Sequence, residues 1–232
     1  MFRFTPILLA AAAIGGCSVQ AQPTSAANPV VVELFQSQGC SSCPPANAAV
    51  NAIAGRPDVL ALSFAVTYWD KLGWKDVFAD PAYTRRQWEY ARAGGRGNVA
   101  TPQVIVNGRS AIVGGNPAQL AQTIRREGPA KGGPTLSVAG NAVRIGAGKA
   151  ASPAIVWLVR YDPKVRQVAI RAGENGGRTL PHRNIVRQLA MLGKWRGTAA
   201  TLPLPAPREP GLRTAILTQA GTGGRITGAL KL

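Results

Sequence analysis

The sequence predicts an α/β domain over residues 30–130, followed by a mostly antiparallel β-sandwich domain over residues 131–232. Two patterns indicate this division. In the first stretch, apolar runs of strand length alternate with helix-like segments, which is typical of a layered α/β fold. From Gly132 onward, short β-rich runs alternate with glycine, asparagine and proline, which favours strands joined by tight turns. The chain has 232 residues, 46% of them hydrophobic, which suffices for two cores.

Residues 1–22 have the order of an export signal, because a basic residue precedes an apolar run that is too short to remain as a membrane span. Residues 14–17 resemble a bacterial lipobox in which Cys17 becomes the lipidated first residue, whereas residues 19–21 resemble an ordinary signal-peptidase site. Both alternatives stay open, and residues 23–29 are interpreted as a tether. We expect an exported protein in an oxidising compartment: periplasmic, attached to the outer membrane through Cys17, or secreted.

Positive charge is concentrated in the second half of the chain. The net charge is +17, and residues 131–232 carry 16 Lys and Arg residues against 3 Asp and Glu residues. The cations are scattered singly, which favours a solvated surface, while a polyanion or an anionic lipid surface stays open as an alternative. Nucleic acid is not an expected partner, because the chain is predicted to be exported.

The chemistry of the first half centres on two cysteines in the stretch Gln38–Pro45, which lies between the apolar run Val30–Phe35 and the alanine-rich segment Ala46–Ala54. A strand, a tight turn with Cys-x-x-Cys and a helix form the layout of a thioredoxin-type redox site. Helix-end N–H groups and the helix dipole should lower the pKa of Cys40 from about 8.5. Cys40 would attack a partner disulfide, and Cys43 would resolve the mixed disulfide. Regular helix is expected to begin at the second proline of the stretch, with both cysteines just before it.

Residues 59–66 form a second apolar strand, and the loop that follows is dense in aromatic side chains. Trp69 and Trp74 in this loop either shape a substrate groove or simply cover the sheet, and both alternatives stay open. Asp80 and Pro81 then predict the start of a helix, as its N-cap and its first residue.

Thr101 and Pro102 precede a third short apolar strand. A proline here fits the cis-proline that faces the redox pair in thioredoxin-like folds, and it would leave the backbone of Thr101 free to pair with an extended client peptide. Asn107-Gly108 predicts a hairpin, and Asn116 predicts the cap of a further helix. The order strand, helix, strand, helix, strand, strand, helix is the minimal thioredoxin topology, so the predicted α/β domain is thioredoxin-like.

Glu33 interrupts the first apolar run. A carboxylate inside a sheet is costly unless it is paired or protonated. Either the residue lies at an exposed strand end, or it is a buried proton acceptor beneath Cys43. Both interpretations stay open, and Glu33 is kept as a candidate proton relay.

The second half contains six short runs that predict strands: residues 135–138, 142–145, 155–161, 165–170, 213–218 and 225–230. Between them, the apolar residues Ile185, Leu189 and Leu192 have the spacing of a helix in a β-rich context. Helix and strand therefore both stay open for this segment.

Five groups of residues carry a resemblance to one family, and they lie within Val32–Phe35, Ser37–Pro45, Tyr68–Asp76, Thr101–Gly108 and Gly173–Leu180. They resemble the exported bacterial family called domain of unknown function 1223. The resemblance covers nearly all of the chain after the leader and implies a thioredoxin-like fold and a thiol–disulfide role, while the family's substrate is not established. The chain departs from the family pattern at Asn47, Ala65 and Thr67, so proton transfer by side chains at these positions would differ.

Three alternative functions are compatible with these residues. The first is a thiol–disulfide oxidoreductase acting on client protein thiols or disulfides, with Cys40 as nucleophile, Cys43 as resolving thiol, and Thr101 and Pro102 facing the client. The second is a binding or assembly scaffold whose disulfide is only structural. The third is a copper(I) carrier, because two thiolates suit a soft ion, whereas structural zinc requires four ligands and His182 is expected in a surface turn. No cofactor or resident metal is expected, and the oligomeric state stays open.

Overall fold

A computed structural model describes residues 1–2 and 28–232 of the chain. The predicted export signal, the lipidation site at Cys17 and most of the predicted tether at residues 23–29 lie outside the described residues. Among the residues described, no helix has the length and apolar character needed to cross a membrane.

The first half folds in the predicted order of strands and helices. Its elements are β1 (Val30–Gln36), α1 (Cys43–Ile53), β2 (Val59–Ala65), α2 (Pro81–Ala93), β3 (Gln103–Val106), β4 (Ser110–Ile112) and α3 (Pro117–Glu127). The Asp80 carboxylate accepts the N–H of Ala82 at 2.7 Å, and Asn116 accepts that of Ala118 at 2.9 Å, so both predicted caps are confirmed. Helix α1 begins at Cys43, two residues earlier than predicted, because prolines in a first helical turn lack only N–H groups that have no intrahelical acceptor.

The second half consists of strands in its described elements. They are β5 (Leu136–Ala139), β6 (Ala142–Ile145), β7 (Ala154–Asp162), β8 (Arg166–Ala169), β9 (Thr179–His182), β10 (Ile185–Trp195), β11 (Ala200–Pro203), β12 (Arg213–Ala220) and β13 (Ile226–Lys231). The segment that could be helix or strand is therefore a strand, β10. Its pairing with β7 shifts register twice. Each shift interrupts the period of two, which explains the helix-like spacing of its apolar residues.

One mixed eight-stranded sheet runs through both halves, in the order β13-β12-β7-β10-β2-β1-β3-β4. Strand β2 is parallel to both β1 and β10, and the remaining pairs are antiparallel. The second half is therefore mostly antiparallel, as predicted, but it does not form a sandwich domain of its own, because its larger sheet is continuous with that of the first half. Four strands of the second half extend the sheet of the first half, because β10 pairs with the edge that β2 would otherwise expose. The sheet β11-β6-β5 packs over the added part, with Val143 and Ile145 against Val156 and Ile216.

The two faces of β1 contact different helices. Val32 and Leu34 pack with Val50 of α1 in one apolar cluster. The alternate positions of β1 pack with Tyr83 and Tyr90 of α2 in another cluster, which also includes side chains from β7, β10, β12 and β13. Because successive strand residues point to opposite faces, α1 and α2 lie on opposite sides of the sheet.

Candidate dithiol site

The Cys-x-x-Cys turn, residues 37–43, connects the end of β1 to the start of α1. Within it, the N–H of Cys40 donates to the carbonyl of Ser37 at 3.2 Å, and the N–H of Cys43 donates to the carbonyl of Cys40 at 3.1 Å. Both cysteines are free thiols, and each is 0% exposed. We call residues 37–42 the dithiol loop.

The structure brings Thr101 and Pro102 to Cys40. The Sγ atom of Cys40 lies 3.7 Å from the carbonyl oxygen of Thr101, to which the protonated thiol donates. The peptide bond between Thr101 and Pro102 is cis, as predicted, and Pro102 is buried. The predicted nucleophile and the predicted proline, 62 positions apart in the sequence, therefore belong to one site.

The two thiols have opposite acidities. The pKa of Cys40 is lowered to about 6, chiefly because the thiol of Cys43 donates a hydrogen bond to the Cys40 thiolate, and hydrogen bonds from the side chain of Thr101 and from Ser42 act in the same direction. Burial raises the pKa of Cys43 far above its ordinary value, and the adjacent Cys40 adds to this. At neutral pH the pair therefore holds one negative charge, located on Cys40.

Both tryptophans of the aromatic loop, residues 67–79, reach the site. The indole Nε1 of Trp69 donates to the hydroxyl of Thr101 at 2.7 Å, and that of Trp74 donates to the side-chain oxygen of Gln38 at 2.9 Å. Each indole is half-buried. Trp69 also packs against the apolar cluster of the sheet, as the covering alternative predicts, whereas the role of both indoles as walls of a substrate groove stays a prediction.

Asp76 supports the dithiol loop from behind. Its carboxylate accepts the N–H of Gln38 at 2.8 Å and that of Phe78 at 2.9 Å. Asp76 is 2% exposed, and burial raises the pKa of its carboxyl to about 6. In the sequence this position stands out only as part of a shared motif, since nothing in its local pattern indicates burial.

A segment of the second half, residues 173–178 between β8 and β9, closes the other side of the dithiol loop. The amide of Asn175 donates to the carbonyls of Gln38 at 2.9 Å and Cys40 at 2.8 Å, and the residue is 0% exposed. The carboxylate of Glu174 accepts both the N–H of Ser41 at 3.0 Å and its hydroxyl at 2.7 Å. In the sequence these residues form a motif without a predicted role, because they lie more than 130 positions from the cysteines.

Comparison with known families agrees with the resemblance carried by these motifs. The family described as protein of unknown function DUF1223 matches residues 31–219, which include every part of the site just described. The chain belongs to the DUF1223 family. No curated protein matches this DUF1223 member.

Two solved structures are similar to this DUF1223 member. A crystal structure of an Agrobacterium tumefaciens protein is 34% identical, with 88% of this chain and 93% of that chain covered and a TM-score of 0.71. HBP35 of Porphyromonas gingivalis is 13% identical, with 89% of this chain and 75% of that chain covered and a TM-score of 0.59. The second similarity concerns the fold alone.

Glu33 does not belong to the dithiol site of this DUF1223 member. Its carboxylate accepts a hydrogen bond from the Nε of Arg86 at 2.6 Å and another from the hydroxyl of Tyr90, and both residues are on α2. Since α1 carries Cys43 on the opposite face of the sheet, the interpretation of Glu33 as a proton acceptor beneath Cys43 is wrong. The exposed strand-end interpretation is also wrong, because Glu33 is 0% exposed. The guanidinium of Arg86 also donates to Gln219 of β12 at 3.2 Å, so this buried pair joins the two halves.

The described residues contain no group of three or more His, Cys, Asp or Glu side chains that could hold a metal ion. His182 lies in β9 instead of the expected surface turn, and it is 1% exposed, with its ring 6.1 Å from that of Phe78. Burial lowers the pKa of His182 to about 4, so its imidazole is neutral at neutral pH.

Proposed function

We propose that this DUF1223 member is a thioredoxin-like thiol–disulfide exchange protein. The observation that carries the proposal is the contact between the Sγ of Cys40 and the carbonyl of Thr101, in a pair whose first thiol has a lowered pKa and whose second has a raised one. The order of elements β1 to α3, with the cysteines at the start of α1 and Pro102 just before β3, supports the thioredoxin-like assignment.

The exchange we propose follows from these acidities. The thiolate of Cys40 attacks one sulfur of a client disulfide, the client's S–S bond breaks, and one client thiolate leaves while a mixed disulfide forms. The negative charge on Cys40 then disappears, and with it one of the causes that raise the pKa of Cys43. Cys43 transfers its proton to the departing client thiolate and attacks Cys40, which releases the second client thiolate. The dithiol is oxidised by two electrons and the client disulfide is reduced; the reverse sequence oxidises a client dithiol.

The complete burial of both sulfurs favours the alternative of a structural pair in a binding scaffold. Exchange requires that the dithiol loop become accessible at least transiently, whereas a structural pair does not. The two functions therefore differ in whether Cys40 ever forms a covalent link to another protein.

A trapping experiment separates them. Cys43→Ser, expressed in the native host, should accumulate mixed disulfides through Cys40, which diagonal non-reducing gels resolve and which a reductant removes. The double variant Cys40→Ser/Cys43→Ser is the matched control and should show none. A folded and exported Cys43→Ser variant without adducts would support the structural alternative.

We also propose that the exchange takes place outside the cytoplasm. This rests on the export-like order of residues 1–22 and on the two candidate processing sites there. Labelling of the wild-type protein, but not of Cys17→Ala, by a fatty-acid analogue would indicate a lipoprotein. Equal absence of label in both, with cleavage near residue 21, would indicate the soluble route.

A further inference from the structure

The segment of residues 173–178, which we call the clamp, bonds to the dithiol loop through two adjacent side chains. Asn175 donates its two amide hydrogens to Gln38 and Cys40, so it joins two carbonyls of the dithiol loop through a single side chain. Its own carbonyl oxygen accepts from Arg178 at 2.8 Å. A fully buried amide with all these partners holds the loop in one position, because breaking the set would leave several polar groups unpaired.

The clamp also packs against the aromatic loop. Gly173 has a φ of +72°, and a Cβ atom at this position would lie 3.2 Å from the Cβ of Trp74. A Cβ atom on Gly73 would lie 3.5 Å from the backbone of Gly173. The two segments therefore meet beside the dithiol loop, one from each half of the chain.

Glu174 places a carboxylate beside the nucleophile. It accepts the N–H and the hydroxyl of Ser41, the residue that directly follows Cys40. A negative charge bonded to the residue next to Cys40 disfavours a second negative charge on Cys40, and the occupied N–H of Ser41 is one fewer donor that could turn toward a thiolate. The hydrogen bonds from Ser41 lower the pKa of Glu174, which keeps this side chain charged.

Titratable groups approach the dithiol loop from three elements, and they are Cys43 of α1, Tyr68, Asp70 and Asp76 of the aromatic loop, and Glu174 and Arg178 of the clamp. Glu174 is the one among them that is both exposed and bonded to the residue after Cys40. Its charge can therefore be removed without disturbing the core.

We propose that Glu174 and Asn175 are positioning residues of the dithiol site, supplied by the second half of the chain: Asn175 holds the loop closed, and Glu174 disfavours the thiolate form of Cys40. The redox consequence rests on the proposed exchange function, whereas the effects on the acidity and accessibility of Cys40 do not. In a disulfide-exchange protein, the reduced form is less stable when the thiolate of its nucleophile is disfavoured, and the couple is then more reducing.

Glu174→Gln tests the electrostatic part in the full mature chain. Ultraviolet titration of the thiolate should show the acid dissociation constant of Cys40 rising by about threefold or more, and high salt should shrink the effect because the carboxylate is exposed. The reduction potential measured against glutathione should become more oxidising. Glu209→Gln, an exposed glutamate that pairs with Arg187 in the same half, is the matched control. A Cys40 titration indistinguishable from that of this control would overturn the role of Glu174.

Asn175→Ala tests the closing part. The rate of alkylation by iodoacetamide, divided by the thiolate fraction at each pH, should rise by about tenfold or more, because two loop carbonyls lose their donor. Arg178→Ala leaves Asn175 in place but removes its orienting contact, so it should give a smaller rise and keeps the test valid where Asn175→Ala unfolds. Asn141→Ala, in the exposed turn between β5 and β6, is the control. Wild-type alkylation rates per thiolate in folded clamp variants would refute the proposal.

These measurements are independent of client trapping. If clamp variants change the acidity and the alkylation rate of Cys40 while Cys43→Ser traps no client, the proposed role of the clamp is supported and the exchange function is refuted. If Cys43→Ser traps clients while the clamp variants show wild-type acidity and alkylation of Cys40, the exchange function is supported and the proposed role of the clamp is refuted.

Discussion

Asp76 provides a quantitative test of the electrostatics beneath the dithiol loop. Its side chain is 2% exposed, and burial raises the pKa of its carboxyl from 3.8 to about 6. The folded state therefore binds this proton more tightly than the unfolded state does. The resulting stabilisation is fully present below pH 3.8 and is lost as the pH rises through about 6. The difference between the pKa values of Asp76 in the folded and unfolded states corresponds to about 3 kcal/mol of unfolding free energy.

The substitution Asp76→Asn removes the charge but keeps one acceptor oxygen. Two N–H donors, from Gln38 and Phe78, now compete for it, which should cost about 1–2 kcal/mol at every pH. In addition, the variant should gain about 3 kcal/mol relative to wild type between about pH 4 and pH 7, because only the wild type carries the buried charge. Urea unfolding of both proteins across this range measures the difference.

Because the variant is compared with wild type, titrations that both proteins share cancel in the stability difference. His182 has the opposite pH dependence, but it is present in both proteins and cancels. Asp80→Asn is the matched control, because asparagine caps a helix as well as aspartate does and this side chain is exposed. If the gap between Asp76→Asn and wild type stays constant from about pH 4 to pH 7, the assigned effect of burial is wrong.

Three further perturbations test other parts of the structure. His182→Leu should flatten the loss of stability as the pH falls from 6.5 toward 4, about 3 kcal/mol in urea unfolding, since burial lowers the pKa of this imidazole and the folded state binds the proton more weakly; an unchanged profile would contradict this. Arg86→Met should lower the unfolding free energy by about 3–5 kcal/mol, because it leaves the Glu33 carboxylate buried without its cation. Adding Glu33→Leu should recover much of that stability. A loss below about 1 kcal/mol in Arg86→Met would show that the pair is dispensable for stability. Cys43→Ala should raise the pH midpoint of Cys40 alkylation above about 6, because its hydrogen bond is the main cause of the lowered pKa, and an unshifted midpoint would refute that cause.

The order of elements in the first half could be predicted because its signals act over a few residues. Asp80 and Asn116 bond to N–H groups two positions ahead, and each is followed by a proline that suits a first helical turn. The cysteine turn likewise lies between its own strand and helix. These interactions need no distant partner, so the sequence pattern carries them.

The location of Glu33 shows where a pattern stops being informative. Alternation along β1 places Glu33 on the face opposite Val32 and Leu34. Both faces are buried, however, so apolarity does not tell which one holds α1 and which one holds α2. Only the packed structure shows that Arg86 of α2 is the partner of Glu33 and that Cys43 is on the other side.

The sequence alone determined the family, the order of the first seven elements and the pair of thiols at a helix start, because each is carried by local motifs. Tertiary structure alone decided that the second half completes the same sheet and that Glu174 and Asn175 close over the dithiol loop. Strand edges and buried amides pair according to position in space. Residues more than 130 positions apart are in contact here because the paired strands bring them together, and a local sequence pattern does not predict such a contact.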